Sequence, residues 1–302
     1  MNVFDVIIIG GGPAGLNAAI VLGRCQRKVI LFDNGKQRNR SSGGLRNYLT
    51  RDNIPPLEFL KICYQELKKY GVIFQAAEIE RAEKHGTGIF KVTDSQGISY
   101  YSKKLLVATG LRDNIPLLKG IEPLYGKSVF HCPYCDGWEV RDKNIGVYAK
   151  IRNGFELALS LQTWSKKVTL YTNGRKYLKP IEIEVLQRKK IRIITEKILR
   201  LDGKNGLIRE IVLTSGIKNK CDALFFSNGY EQQCRIAESL GCDMNKSGIV
   251  ITNRLQQSNI KGLYVAGDVS KDMHFVVVAA GEGAKAGVSI NKELQKEEFK
   301  KL

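Results

Sequence analysis

Gly10, Gly12 and Gly15 stand at G-x-G-x-x-G spacing, and their flanks fix the kind of fold this chain can adopt. Before them, residues 3–9 form a near-continuous run of β-branched and apolar side chains, as in a strand buried on both faces of a parallel sheet. After them, the alanine- and leucine-rich stretch 14–23 predicts a helix, and 28–32 predicts a second strand closing at Asp33. This is a βαβ unit with an acid about 20 residues beyond the glycines, the pattern of a dinucleotide site. Gly10 permits the tight turn, Gly12 lets the backbone approach a pyrophosphate, and Gly15 lets helix and strand pack closely. The helix N-terminus adds free N–H groups and a positive dipole end, and Asp33 would accept a ribose hydroxyl. A ligand-free glycine turn is the weaker reading, because glycine is costly where nothing requires it.

Further along, Leu57, Leu60, Tyr64 and Leu67 recur at helical spacing before a stop at Gly71. Segments 72–83, 87–94 and 97–102 read as a meander turning at Ser95-Gln96-Gly97, followed by a strand over 104–108. A second βαβ pattern begins about 135 residues after the first, with strand 144–148, helix 155–164 and strand 167–171. Short strands near 191–194, 208–213 and 222–226 follow, then a strand over 262–266, Gly267-Asp268, and a closing helix over 276–294. The predicted fold class is α/β: two Rossmann-like three-layer domains, one inserted into the other. Residues 1–115 and 236–302 form the outer domain, and 116–235 the insert.

Composition narrows the class. With 302 residues, 43% hydrophobic and 26% charged, the chain can bury a large core, which excludes extended disorder and fibrous folds. No apolar run reaches the ~18 residues of a membrane span, and Met-Asn-Val-Phe-Asp leads straight into a strand, so the protein is expected to be cytoplasmic and off the membrane. Seven cysteines, an odd number, argue against a secreted disulfide scaffold. The net charge of +18 suits nucleic acid, an anionic membrane or an acidic protein. Between Leu117 and Gln232 lie 21 Lys and Arg against 12 Asp and Glu, half of that excess in under two-fifths of the chain. The basic residues form scattered runs with no arginine-rich arm, which reads against nucleic acid and for steering of an acidic protein partner.

Cys132-Pro133-Tyr134-Cys135-Asp136-Gly137 is the second chemical signal. A C-x-x-C pair is a redox dithiol, half of a zinc site, or an inert buried pair. Cys25, Cys63, Cys221, Cys234 and Cys242 supply no second pair, and His131 adds at most one ligand, so no metal is expected and the redox reading leads. Asp136 is either the proton donor and acceptor that thiol–disulfide exchange needs or a helix N-cap, and the roles can coexist. Tyr134 and Trp138 read as an apolar binding wall, or, for Trp138, as core between domains.

Together, Gly10-Gly11-Gly12-Pro13-Ala14-Gly15, Val107-Ala108-Thr109-Gly110, Cys132-Pro133-Tyr134-Cys135-Asp136-Gly137 and Val265-Ala266-Gly267-Asp268-Val269 resemble the low-molecular-weight thioredoxin reductase family over nearly the whole chain. The wording Cys-Pro-Tyr-Cys-Asp-Gly-Trp-Glu resembles a branch that includes dithiol oxidases of disulfide natural products. The resemblance implies FAD held by Gly10, Gly12, Pro13, Ala14, Gly15, Asp33 and Asn47, with Thr109 and Gly110 closing the dinucleotide site. It implies Gly267 and Asp268 at the ribityl-pyrophosphate region, and the closing helix, entered at Phe275 and Val276, with its dipole towards the flavin. It also implies Cys135 facing the flavin, Cys132 attacking the substrate disulfide, Asp136 as acid–base residue, and a homodimer.

Two departures stand out. Where the family's inserted domain carries its own glycine fingerprint for NADPH, this chain has Ala149-Lys150-Ile151-Arg152-Asn153-Gly154, keeping the third glycine alone. A β-branched Ile151 occupies the position where backbone must approach a pyrophosphate. The family's His-Arg-Arg cluster for the 2′-phosphate is replaced by Tyr171-Thr172-Asn173-Gly174, although Lys150 and Arg152 offer charge for phosphate. His274 and Phe275 stand where the family commonly has Arg-Gln, and His274 reads equally as a proton shuttle near the flavin or as a surface residue. The expected function is an FAD-dependent thiol–disulfide oxidoreductase acting on a thioredoxin-like protein or small molecule. Its other redox partner is oxygen or an acidic carrier such as ferredoxin or flavodoxin in place of NADPH. The alternatives are a conventional NADPH-dependent thioredoxin reductase and, in another class, a non-enzymatic flavin sensor or basic nucleic-acid-binding protein.

Overall fold

Buried β-branched side chains make β1 (Val3–Ile9), whose Val6, Ile7 and Ile8 are wholly inaccessible to solvent. In the computed structural model, which describes residues 3–86, 88–271 and 273–300, the strand opens the larger of two units. That unit comprises Met1–Arg40, Gly44–Arg112 and Glu231–Leu302; the other comprises Ser41–Gly43 and Asp113–Tyr230. Helix α1 (Pro13–Arg24) starts with proline at a position where no backbone N–H is needed, and buries Ala18, Ala19 and Leu22. It feeds β2 (Val29–Asp33), and α2 (Pro56–Lys68) feeds β3 (Ile73–Ala76), each strand pairing in parallel with its predecessor. The chain then turns antiparallel through β4 (Ile79–Lys84), β5 (Phe90–Asp94) and β6 (Ser99–Val107).

Here two expectations are corrected. Segment 72–83 is two strands, broken at Ala77-Glu78 without a glycine or proline to mark the break: β3 pairs with β2 and β4 with β5, at opposite edges of the sheet. Segments 97–102 and 104–108 are instead one strand: β6 begins antiparallel to β5 and continues parallel to β1. Lys103-Lys104 looked like a break, yet Lys104 is buried at 3% exposure, its ammonium 2.7 Å from both Glu293 and Glu297. Tyr264 donates to Glu293 as well. Burial pushes the Glu293 carboxyl up, but the Lys104 and Tyr264 bonds outweigh it and hold the group below the ordinary range. That stabilisation is present above the unfolded carboxylate pKa and is lost as pH falls through the lower folded value. Lys104→Met strands two partly buried carboxylates and should cost about 3 kcal/mol or more in urea unfolding at neutral pH, with the deficit shrinking below pH ~4. Equal midpoints for variant and wild type would contradict the network's role.

After β7 (Leu111–Asp113) the smaller unit begins, with β8 (Val129–Phe130), the short helix α3 (Pro133–Asp136), β9 (Ile145–Tyr148), α4 (Asn153–Leu161) and β10 (Val168–Tyr171). Helix α5 (Pro180–Arg188) follows, a helix the periodicity did not predict. Pro180 at its first position and Glu182, accepting from Lys179 N at 2.9 Å, are its start signal. Next come β11 (Arg192–Ile194), β12 (Ile198–Lys204), β13 (Leu207–Leu213), β14 (Lys218–Lys220) and β15 (Ala223–Phe226). The sheet orders β11-β10-β9-β15-β8, all parallel, while β12-β13-β14 form a separate antiparallel sheet.

The chain returns through β16 (Tyr230–Gln232), α6 (Ile236–Ser239), β17 (Leu263–Val265), parallel to β6, and the 24-residue α7 (Val276–Phe299). Helix α7 lies directly on α1, where a Cβ at Gly283 would come within 2.0 Å of Ala14 O. Among the described residues no helix is long and apolar enough to cross a membrane.

Candidate active site

The parallel strands of the larger unit end in three turns. Residues 10–12 follow β1, Asp33 ends β2, and Thr109 and Gly110 follow β6. A Cβ at Gly10 would lie 2.2 Å from Ala108 O, one at Gly11 2.7 Å from Asp33 Cβ, one at Gly15 1.9 Å from Gly10 O, and one at Gly267 3.0 Å from Ala14 Cβ. The fold therefore gathers the predicted residues Gly10, Ala14, Gly15, Asp33, Thr109 and Gly267 at one edge. Gly12 is different. Its φ of −78° suits any residue, and a Cβ there would meet nothing within 4 Å. Neither backbone nor packing needs glycine at that position, which leaves a ligand's close approach as the reason for it.

Asp33 is nearly buried, and its carboxylate accepts from Gly35 N at 3.2 Å, Gln37 Nε2 at 2.5 Å and Tyr64 OH at 2.8 Å. Burial and the Asp33 charge push the Tyr64 phenol well above its ordinary range, so it stays a donor. Beside Asp33 opens a cavity of about 780 Å³, lined among others by Gln37, Tyr64, Phe74 and Ala77. Among the described residues the buried Thr109 Oγ1 and Gln37 Oε1 have no hydrogen-bond partner, as expected of groups that a polar ligand would satisfy. Asn47, in the β2–α2 loop, is exposed with φ +59° and donates its N–H to Asp52. Phe275 is the N-cap residue of α7 and Val276 its first helical residue, with no side-chain cap and no acid in the first turn. Open space at Gly12, two orphaned polar atoms and the Asp33 cradle fit FAD.

In the smaller unit Cys132 and Cys135 form a disulfide with Cα atoms 5.3 Å apart. Cys132 caps α3, its sulfur accepting from Cys135 N at 3.2 Å. Asp136 is the last residue of that helix, so the N-cap reading of Asp136 gives way to Cys132, whose extended backbone suits the cap. Tyr134 and Trp138 are 64% and 66% exposed, so Trp138 is not part of the smaller unit's own core, and Arg141 stacks on it at 4.3 Å. His131, which the sequence offers only as a zinc ligand, has another surrounding. Its Nδ1 lies 3.3 Å from the carboxylate of Asp113, whose side chain is 3% exposed and which also accepts from Tyr125 OH at 2.8 Å. A carboxylate-oriented imidazole next to Cys132 is a general-base arrangement with no local sequence signal, because Asp113 lies 18 residues away. Among the described residues no cluster of His, Cys, Asp and Glu could hold a metal.

The second glycine turn has another character. A Cβ at Gly154 would lie 2.5 Å from Ala149 Cβ and 2.6 Å from Tyr177 OH, so this glycine is kept for packing. Two amides of the first turn of α4 are bonded within the chain, Gly154 N on Ile151 O at 3.1 Å and Phe155 N on Arg152 O at 2.9 Å. Arg152 Nε is bound to the buried Glu182 at 2.7 Å.

Comparison with known proteins agrees with this geometry. The model of the pyridine nucleotide-disulphide oxidoreductase family matches residues 4–283. Thioredoxin reductase tcpT of Claviceps purpurea is 30% identical, the match covering 97% of this chain and 95% of the relative. The 34.2 kDa protein in the rubredoxin operon of Clostridium pasteurianum is 27% identical over 95% of this chain and 96% of its own. The crystal structure of HlmI superposes with TM-score 0.95 at 30% identity, covering 99% of this chain and 95% of that one. The chain, with its glycine cradle and its Cys132–Cys135 pair, thus belongs to the pyridine nucleotide-disulphide oxidoreductase family and is an FAD-dependent disulfide oxidoreductase of the thioredoxin reductase type.

Proposed function

We propose that this enzyme exchanges electrons between FAD and an external disulfide or dithiol through Cys132 and Cys135 without using NADPH. The observation that supports the reading is the second glycine turn, where Ile151 stands in place of the glycine that lets a pyrophosphate approach, the Gly154 and Phe155 amides bond within the chain, and Arg152 Nε is held by Glu182. FAD, when bound by the residues at Gly12, Asp33, Asn47, Thr109, Gly110, Asp268, Phe275 and Val276, supplies the two-electron chemistry. Cys132, its sulfur stabilised as thiolate by the Cys135 amide, attacks one sulfur of the substrate disulfide. That bond breaks as a Cys132–substrate disulfide forms, and one substrate thiolate leaves. The Cys135 thiolate then attacks Cys132 sulfur, closing the protein disulfide and releasing the second thiolate, so two electrons move from the dithiol to the substrate. Run in reverse, the same steps oxidise a substrate dithiol. Asp136 and His131 flank the pair and carry the protons the thiolates exchange. His131→Asn should slow dithiol exchange about 10²-fold and shift its pH profile while leaving FAD content intact; an unchanged profile would remove His131 from the mechanism.

A thioredoxin-like protein or a small dithiol is the proposed substrate, and oxygen or an acidic electron carrier the other partner, in a cytoplasmic homodimer. The relative's rubredoxin operon supports a carrier. If the +9 excess of residues 117–232 steers such a protein, turnover should fall several-fold between roughly 50 and 200 mM salt; insensitivity would leave the charge a solubility feature. To test the reading, FAD-loaded protein is mixed anaerobically with dithiothreitol and then with air. Bleaching and return of the flavin band are expected, and a band that never bleaches would overturn it.

A further inference from the structure

Arg38 lies in the loop after β2, and its guanidinium ties together two segments more than 200 residues away. Its Nη1 donates to Asp268 Oδ2 at 3.3 Å and lies 3.0 Å from His274 Nδ1. The other ring nitrogen, His274 Nε2, is 3.0 Å from the carbonyl oxygen of Lys271. A carbonyl only accepts, so Nε2 carries the hydrogen and Nδ1 presents the lone pair that the guanidinium needs. Both ring nitrogens of His274 are thus engaged, which anchors the ring. The side chains of Arg38 and Asp268 are only 15% and 20% exposed, so solvent screens this cluster weakly.

The position of the cluster gives it a consequence. Asp268 follows β17 and His274 lies two residues before α7, the segments assigned above to the ribityl chain and the flavin ring. The first turn of α7 has no acid and no side-chain cap, so its positive end is uncompensated within the helix. The Asp268 carboxylate would oppose the negative charge of a reduced flavin, and Arg38 neutralises that carboxylate while staying cationic itself.

We infer that Arg38 is a positioning residue that locks Asp268 and His274 in place and sets the charge around the flavin so that the reduced form is favoured. The inference rests on the flavin reading proposed above. Without Arg38 the Asp268 charge is unmasked and the His274 ring loses its donor, and both changes disfavour electron uptake from the dithiol.

The test uses the full-length FAD-loaded wild type with Arg38→Gln, which keeps donors and removes charge, and Arg38→Lys, which keeps charge. The readouts are FAD affinity, flavin midpoint potential against reference dyes, and affinity for sulfite, which leaves negative charge on the flavin when it adds. Arg38→Gln should bind sulfite about tenfold more weakly and show a lower midpoint, and Arg38→Lys should recover most of both. Loss of FAD in Arg38→Gln with an unchanged melting curve, restored in Arg38→Lys, would also support the inference. Sulfite affinity and midpoint within twofold and error of wild type in a fully loaded Arg38→Gln would overturn it, as would FAD loss in both variants with lowered melting temperatures, the mark of a packing role. A wild type that binds no FAD would instead sink the flavin reading itself, and the inference with it.

Discussion

Cys135→Ser is expected to abolish bleaching of the flavin by dithiols while leaving FAD bound and the fold intact. The reading assigns Cys135 to the flavin side of the pair, so every electron pair passing between dithiol and flavin crosses its sulfur. Serine keeps the size and the amide donated to Cys132, but a hydroxyl neither forms a disulfide nor ionises near neutral pH. The bleaching rate should drop by at least about three orders of magnitude in anaerobic stopped flow. Cys132→Ser separates the two roles: exchange with an external disulfide should stop, while the thiol assigned to the flavin side, Cys135, is kept. A Cys135→Ser protein that still bleached at a comparable rate would remove Cys135 from the electron path.

Gly12→Val should lose FAD without losing the fold. A side chain at Gly10 or Gly15 would strike Ala108 O or Gly10 O, so substitutions there confound packing with binding. At Gly12 the ligand-free chain has open space and an ordinary φ, so valine costs folding only the modest penalty of a poor helix cap, about 1 kcal/mol. The branched side chain nevertheless fills the approach to the phosphates. FAD affinity should fall at least ~30-fold, the equivalent of about 2 kcal/mol of overpacking. Cofactor content after incubation with excess FAD, read beside a circular-dichroism melt, checks both halves. A yellow, fully loaded Gly12→Val protein would show that no ligand approaches this turn.

Local patterns announced much of this molecule. The first βαβ unit and its glycines could be read because each needs only a short window, and Cys132-x-x-Cys135 carries its chemistry in four residues. What the sequence hid was non-local. The expected boundary before Lys104 was wrong because nothing local shows that its ammonium is paired with Glu293 and Glu297, almost 200 residues on. His131 had no visible role until Asp113 was placed beside it, and Arg38 none until Asp268 and His274 met it. Helix α5 escaped because it buries a single apolar side chain, Leu186, beside Glu182, although Pro180 and Glu182 mark its start. The N-cap alternative for Asp136 falls because the sulfur of Cys132, an uncommon cap residue, takes that place.

The proposal most open to test is that electrons reach the dithiol and flavin without NADPH, a reading supported by Ile151 at the approach position of the second glycine turn and by the Arg152–Glu182 pair beside it. The direct test is an anaerobic titration of the FAD-loaded protein with NADPH, followed in the flavin band and run beside a dithiol control. The band should persist through micromolar to millimolar NADPH while the dithiol bleaches it. Rapid bleaching at micromolar NADPH would contradict the account.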